Sequence, residues 1–343
     1  MPAPQLHLSF ALSIVDDARL PHRVREACRR EQTYVRLGSI VHDLPYYGNM
    51  LVETVRYGLG APAVDEPWAY RMHSVEPARF VASYIRAARR APALTTDERL
   101  ALVGGLLSHC ALDLALHPLV NYCARRDTRE LGGHESMHHR VTEKYHALFF
   151  HFARRGYDPI GTAEFREWTR VTKMGTPLSA RCEPGLTAFI TDAYTGAYGS
   201  APPVARWSSW VRSFRHFGLL VGSPLAARNS RAMQKDVRLR LRYFENAHFD
   251  FWGFYAGAER RLQHLVELGL GYFDAADFST EAEARFVAAS AIDDLAEPAL
   301  SADLPRLERL TAVCTPGITL PAGERPWRPR ARRAADRAEL RAS

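Results

Sequence analysis

The central part of the sequence carries histidines and carboxylates at four-residue spacing. His109, Asp113 and His117 follow one another in this way, and His139 and Glu143 repeat the spacing further along the chain. Residues four apart share one face of a helix, so each set is expected to point in one direction. Imidazole nitrogens and carboxylate oxygens are common zinc ligands in hydrolytic sites, and two facing helices can surround more than one ion. The pattern therefore predicts a metal site of hydrolytic type.

A single histidine–carboxylate pair at this spacing is weak evidence, because a salt bridge on a helix surface gives the same pattern. Asp113 is more informative, since it lies among leucines that a helix would bury. Burying an unpaired carboxylate is costly, and metal coordination is one of the few ways to offset that cost. Eleven of the fourteen histidines precede residue 152. We therefore expect the polar site in the N-terminal half of the chain.

The elements expected to position these residues are helices. The sequence from Thr95 to Glu98 is a capping box and predicts the start of the helix that carries the first set, with Pro118 at or near its end. The second set falls on a helix expected at 134–156. Further helices are expected at about 21–37, 76–90, 183–197, 205–221, 226–273 and 280–294, with a loop from 43 to 70. We find no strand-like alternation of useful length, so the predicted fold is an all-α, multi-helix bundle forming a single domain over residues 1–300.

Composition places the chain among ordinary globular proteins. It has 343 residues, of which 47% are hydrophobic and 24% charged, and a net charge of +7. The positive excess is concentrated after residue 315, where Pro, Arg and Ala dominate and no periodic apolar face is present. We expect residues 315–343 to be a disordered basic tail. Its seven arginines between Arg325 and Arg341 would give weak, salt-sensitive attraction to anionic lipid or nucleic acid. No stable protein partner is inferred.

The cellular compartment is predicted from the cysteine pattern, the N-terminal segment and the length of the apolar runs. Five cysteines occur without a CxxC pair, which does not suggest a disulfide framework. The N-terminal segment lacks a basic region ahead of its short apolar patch, so a signal peptide is not indicated. No run of about 20 consecutive apolar residues is present. We therefore expect a cytoplasmic protein.

The motif around the first set resembles that of a known family. The segment from 104 to 118, GGLLSHCALDLALHP, is similar to the G-x-x-x-H-x-x-x-D-x-x-x-H-P motif of the bacterial zinc-dependent phospholipase C family. The later HxxxE pair resembles the second ligand helix of that family. Upstream, His7 resembles its ligand near the N-terminus, and His73 lies where another ligand is expected. The turn that ends at Asp43 resembles the family's G-x-x-x-P-D turn, with His42 where proline is usual.

The resemblance covers residues 1–155 by motif and extends to about 275 by helical continuation. Carried over to this sequence, it implies one zinc ion held by Asp43, His73, His109 and Asp113, and a second held by His117, His139 and Glu143. It also implies a third, more weakly held ion shared by His7 and Asp113. In secreted members a processed N-terminal residue completes the third site. This chain begins with Met-Pro-Ala-Pro, so we expect two zinc ions and leave the third in question.

The activity implied by the resemblance is phosphodiester hydrolysis. Water activated by zinc would attack phosphorus, with Asp43 serving as ligand and as the catalytic proton acceptor. The substrate would be a phospholipid head group or a smaller phosphodiester. A role for Asp43 as a turn cap, through hydrogen bonds to backbone N–H groups, is the competing interpretation.

Three other functions fit parts of the pattern. His42–Asp43 is the dipeptide of HD-type metal phosphohydrolases, in which His7 or His22 and Asp113 could complete the site. That arrangement leaves His109, His117, His139 and Glu143 without a role. A single-strand nuclease-like enzyme would use a similar trinuclear helical site. A non-catalytic, zinc-stabilised helical scaffold would keep the ligands without an activity. The number of bound zinc ions and a test for hydrolysis separate the scaffold from the enzymes.

Overall fold

A computed structural model of the chain describes residues 4–49, 67–175, 182–223, 226, 251–275 and 277–295. The α-helices of this part are α1 (Pro4–Leu12), α2 (His22–Arg30), α3 (Gln32–Ile40), α4 (Pro67–Ser74), α5 (Pro77–Arg90), α6 (Thr96–Leu131), α7 (Glu135–Arg155), α8 (Ala163–Trp168), α9 (Pro184–Tyr198), α10 (Val204–Val221), α11 (Phe251–Asp274) and α12 (Thr280–Ser290). Short 3₁₀ helices span Ser13–Asp16, Leu44–Asn49 and Ile292–Leu295. None of the described residues forms a β-strand, which confirms the all-α class. The expected tail over 315–343 and nearly all of 226–250 lie outside the described residues.

The longest helix, α6, lies at the centre of the molecule. It starts at the predicted capping box, where the Thr95 hydroxyl accepts a hydrogen bond from the Glu98 backbone N–H at 3.2 Å. The Glu98 carboxylate in turn accepts one from the Thr95 N–H at 2.8 Å. Around it pack α1, α2, α3, α5, α7 and α11. A helix covered on so many sides can position side chains toward several neighbours at once.

The predicted end of this helix is wrong, because α6 continues through Pro118 to Leu131. Proline inside a helix removes one hydrogen bond and crowds the preceding turn, at a cost of about 3 kcal/mol or more. Beyond the proline, Leu119, Val120 and Cys123 are buried in the protein. Burial of an aliphatic side chain contributes roughly 1.5–3 kcal/mol. Tertiary packing therefore outweighs the local penalty, and the helix is not interrupted.

The helix predicted over 21–37 is two helices, and Gly38 does not end the second. The chain turns at Glu31, where φ is −115° and ψ is 46°, and α3 then runs through Gly38 to Ile40. Gly38 lies where α3 crosses α6. A Cβ atom on Gly38 would lie 2.3 Å from the carbonyl oxygen of Leu102, and one on Gly105 would lie 2.2 Å from that of Val35. The two glycines therefore permit an approach between backbones that no larger residue allows.

Most of the remaining helices have bounds close to those predicted, whereas the first part of the helix predicted over 226–273 lies almost wholly outside the described residues. α9 packs on α5, α10 packs on the 3₁₀ helix at 44–49, and α11 packs on α6. Helices α1, α4 and α8 were not predicted. α1 is buried on all sides, so its sequence shows no polar face from which a helical period could be recognised.

The segment of α6 from Thr96 to Arg125 is, among the described helices, the one whose length and composition would suffice to cross a membrane. In this structure 94% of its most apolar stretch is buried inside the protein. The core helix of a bundle satisfies the same criterion, because it too is surrounded by apolar groups. Its apolar character is therefore accounted for by its central position.

The close approach of α3 and α6 leads to a stability prediction. Gly105→Ala should lower the free energy of unfolding by at least about 2 kcal/mol, because the new methyl group meets backbone that cannot move aside. Gly271→Ala is the matched control, since a Cβ on Gly271 of α11 meets nothing within 4 Å. That control should be neutral or stabilising by up to about 1 kcal/mol. Equal urea midpoints for the two variants would contradict the proposed crossing constraint.

Candidate metal centre

Five separate elements supply the eight predicted ligands. His7 comes from α1, Asp43 from the turn after α3, His73 from α4, His109, Asp113 and His117 from α6, and His139 and Glu143 from α7. The two sets of ligands at four-residue spacing, one on α6 and one on α7, face each other because these helices pack side by side. The structure brings all eight side chains into one connected cluster.

Asp113 lies at the centre of this cluster. Its Oδ1 is 3.2 Å from Nε2 of His7 and 3.3 Å from Nε2 of His117, and its Oδ2 is 3.0 Å from Nε2 of His109. Bonds of about 2.0–2.2 Å to a tetrahedral zinc ion place neighbouring ligand atoms roughly 3.3–3.6 Å apart. The observed separations are close to that range. Asp113 is therefore placed to contact more than one ion.

Glu143 joins the second set to the first. Its Oε1 is 3.3 Å from Nε2 of His117 and 3.1 Å from Nε2 of His139. His117 thus lies between Asp113 and Glu143, with the same nitrogen at 3.3 Å from each carboxylate. An ion held at Asp113 and an ion held at Glu143 would therefore lie next to each other.

Asp43 and His73 lie on the opposite side of His109. Oδ1 of Asp43 is 3.3 Å from Nε2 of His73, and its Oδ2 is 3.8 Å from Nδ1 of His109. Asp43 is buried, and neither of its carboxylate oxygens accepts a hydrogen bond from a described residue. The turn-capping interpretation required such hydrogen bonds from backbone N–H groups. The geometry gives that interpretation no support.

Three of the histidines are held in one tautomer by an oxygen acceptor. Each donates its Nδ1–H to an oxygen that has no hydrogen to give in return, so Nδ1 must carry the proton. The acceptors are the Ala69 carbonyl oxygen for His73 at 2.9 Å, the Ser39 carbonyl oxygen for His109 at 2.9 Å, and the Asn121 side-chain oxygen for His139 at 2.8 Å. Nε2 of each ring then faces a carboxylate, at 3.3 Å for His73, 3.0 Å for His109 and 3.1 Å for His139. Histidine ligands of zinc are commonly held by such an acceptor on the other ring nitrogen.

The buried carboxylates of the cluster are compensated by the histidines around them. Burial would raise the pKa of Asp113, but the neighbouring histidines, first among them His117, hold that pKa well below its ordinary value. Burial would likewise raise the pKa of Glu143, which His139 and His117 hold well below its ordinary value. Burial opposes protonation of His117, yet Asp113 and Glu143 raise its pKa to about 9. Among the described residues, these carboxylates form ion pairs with histidines alone. The donor set of nitrogen and oxygen atoms fits zinc.

The ligand atoms fall into three groups in which all separations are within 4.8 Å. These groups are His117, His139 and Glu143; His7, His109 and Asp113; and His42, His73 and His109. The first is the set predicted for the second zinc ion. His42 was not predicted as a ligand, although it directly precedes Asp43. Its position becomes significant only through contacts with α4 and α6, which the sequence does not show.

Asn121 is a second functional candidate that the sequence analysis missed. It follows His117 by four residues on α6 and so continues the row of His109, Asp113 and His117. That spacing was the signal that could have identified it. Its role, holding the tautomer of His139, depends on the packing of α7 against α6.

A small cavity of about 20 Å³ opens into the cluster. Its polar side is formed by His7, Asp113, His117, Glu143 and His146, and its apolar side by Leu6, Leu112, Leu116 and Val120. A volume of this size holds about one water-sized group. The cavity therefore offers a place for a small reactant beside Asp113 and Glu143.

Comparison with known families agrees with this geometry. A family model described as zinc dependent phospholipase C matches residues 6–201, which is more than half of the chain. The chain therefore belongs to the zinc-dependent phospholipase C family. The match contains all eight predicted ligands and extends past the motifs that carried the resemblance. Comparisons with curated proteins and with solved structures gave no significant match.

The contact between Asn121 and His139 leads to a prediction about zinc affinity. Asn121→Ala should weaken zinc binding at His117, His139 and Glu143 by about 10- to 100-fold, the usual effect of losing a residue that orients a ligand. Competition with a chromogenic chelator measures the change. Thr142→Ala is the matched control, because Thr142 is buried beside Glu143 but bonds only the His138 carbonyl oxygen of its own helix. Equal affinities in the two variants would show that Asn121 does not orient a ligand.

Proposed function

We propose that this protein is a zinc-dependent phosphodiester hydrolase of phospholipase C type. The observation that carries the proposal is the position of His117, whose Nε2 lies 3.3 Å from both Asp113 and Glu143. This arrangement makes two ion positions neighbours, as hydrolysis of a phosphodiester by two metal ions requires. Membership in the zinc-dependent phospholipase C family supports the same activity.

The side chains have distinct tasks in this proposal. Asp43, His73, His109 and Asp113 would hold the first ion, and His117, His139 and Glu143 the second. When bound, zinc lowers the pKa of water toward neutrality and offsets negative charge on the phosphoryl oxygens. The side chain of His109 is 0% exposed, whereas those of His117 and His139 are 15% and 23% exposed. Substrate would therefore approach from the side of His139.

Asp43 is the proposed proton acceptor. As the oxygen of water bonds to phosphorus, the ester bond to the leaving alcohol breaks, and the proton lost by water passes to the Asp43 carboxylate. The same proton then returns to the leaving oxygen, so the products are an alcohol and a phosphomonoester. The carboxylate oxygens of Asp43 accept no hydrogen bond from the described residues, which leaves their lone pairs available for this task.

The substrate class is decided by a panel of phosphodiesters. Phosphatidylcholine vesicles, single-stranded DNA and a small chromogenic phosphodiester would be incubated with the zinc-loaded protein, with chelator, and with chelator followed by added zinc. Hydrolysis of lipid that depends on zinc supports the proposal, whereas cleavage of DNA alone would favour the nuclease-like alternative. One tightly bound zinc ion without any hydrolysis would favour the scaffold. The HD-type interpretation loses its motivation, because the family match is to a different family.

Localisation and partners remain predictions. A cytoplasmic location, the absence of a stable protein partner and a weak attraction of residues 315–343 to anionic lipid or nucleic acid are proposed from the sequence. A salt titration of vesicle binding, with and without those residues, would test the last of them.

The first prediction of this proposal concerns zinc content. The protein should hold about two zinc ions per chain, because two packed helices can surround more than one ion. His139→Ala should lose one of them. Asp113→Ala should weaken both, because Asp113 contacts His109, proposed for the first ion, and His117, proposed for the second. Elemental analysis of the folded variants measures the content. Full zinc occupancy in both variants would mean that these residues are not ligands.

The second prediction concerns catalysis by Asp43. Asp43→Asn should keep the fold and much of the zinc, but it should lower kcat by a factor on the order of 10² or more, as loss of a general base does. Asp97→Asn is the matched control. Asp97 forms its ion pair with Arg30 on the surface and is not one of the predicted ligands. Turnover would be normalised to folded, zinc-loaded protein. An unchanged kcat per loaded molecule would remove Asp43 from the reaction.

A further inference from the structure

His42 is a buried histidine whose ring nitrogens have no hydrogen-bond partner among the described residues. Its side chain is 0% exposed, so it lies out of reach of bulk solvent. A buried polar group left without a partner is destabilising. An imidazole retained in such a position therefore requires an explanation beyond packing.

The surroundings of His42 include two of the predicted ligands. Its ring centroid is 5.1 Å from that of His73 and 5.1 Å from that of His109, while Phe80 covers another side at 5.3 Å. One nitrogen from each of the three histidines can be chosen so that all separations are within 4.8 Å. The turn after α3 delivers His42 and Asp43 to the same place, because the two residues are adjacent in the chain.

We propose that His42 is a further ligand of the first ion, which would then be held by His42, Asp43, His73, His109 and Asp113. This inference rests on the proposed function, since it presumes that the first position binds zinc. Coordination uses one ring nitrogen of His42 and leaves the proton on the other. A neutral imidazole with one free nitrogen is the form that binds a metal.

Five protein donors would hold the first ion more completely than three hold the second. A zinc site with three protein ligands keeps a position open for water or substrate. The second position, with three donors and the more exposed histidines, would therefore bind its ion less tightly. The two ions should therefore leave the protein at different chelator concentrations, the second before the first.

The test is a chelator titration of the two-zinc protein, comparing wild type with His42→Leu, an exchange that removes the nitrogens at similar volume. His151→Leu is the matched control, because His151 is also buried but bonds the Gln5 carbonyl oxygen instead of a predicted ligand. Wild type and the control should release zinc in two steps. In His42→Leu the tighter step should weaken by about 10- to 100-fold, while the weaker step stays in place.

A cobalt-substituted form adds a readout that a packing role would not change. With one Co²⁺ at the first position, loss of a nitrogen donor should alter the visible absorption, which depends on coordination number and donor type. An identical spectrum and identical release in folded His42→Leu would overturn the inference. Should that variant not fold, His42→Gln keeps a polar side chain of similar length with a weaker donor, and wild-type behaviour there would overturn it as well. A wild-type protein that binds no zinc at all would instead refute the proposed function.

Discussion

The close crossing of α3 and α6 is the constraint on which the rest of the structure depends. Gly38 and Gly105 bring the two backbones together, and one residue beyond Gly38 the Ser39 carbonyl oxygen accepts the Nδ1–H of His109. Gly105 precedes His109 by one helical turn on the same face of α6. The contact that sets the separation of the helices therefore also sets the tautomer and direction of a central imidazole. The crossing of α3 and α6 therefore cannot be altered independently of the candidate metal centre.

Near that crossing, the cluster contains three buried carboxylates whose charge must be compensated. Asp43, Asp113 and Glu143 are all buried, and an isolated buried carboxylate would be strongly destabilising. Histidines lie beside all three carboxylates, and three of them, His73, His109 and His139, are held in place by an oxygen acceptor on Nδ1. Such an arrangement favours cations at defined points over a diffuse positive potential. It accounts for the use of histidine, in place of arginine or lysine, beside each of these three carboxylates.

Local signals in the sequence predicted most of the helices and the two sets of ligands at four-residue spacing. The predictions failed at positions where contacts between distant helices decide the structure. The capping box at Thr95 was recognisable because its hydrogen bonds lie within four residues. Pro118 and Gly38 were both interpreted as helix breakers, but burial of the following turn overrides the first, and a neighbouring helix makes use of the second. His42 illustrates the limit for the site. Its neighbours His73 and His109 are 31 and 67 positions away in the sequence, so the local pattern that singled out His42–Asp43 could not show which residues His42 contacts.

The apolar character of α6 has a consequence for the newly synthesised chain, before the protein has folded. A segment such as Thr96–Arg125, apolar enough to cross a membrane, resembles the substrate of the membrane-insertion machinery until its neighbours have packed around it. Asp113 lies near the middle of that segment, where a carboxylate disfavours insertion by about 2.5–3.5 kcal/mol. His109 and His117 flank it one turn to either side. The side chains of the candidate metal centre would thus also bias the newly synthesised helix toward folding in water and against partition into lipid.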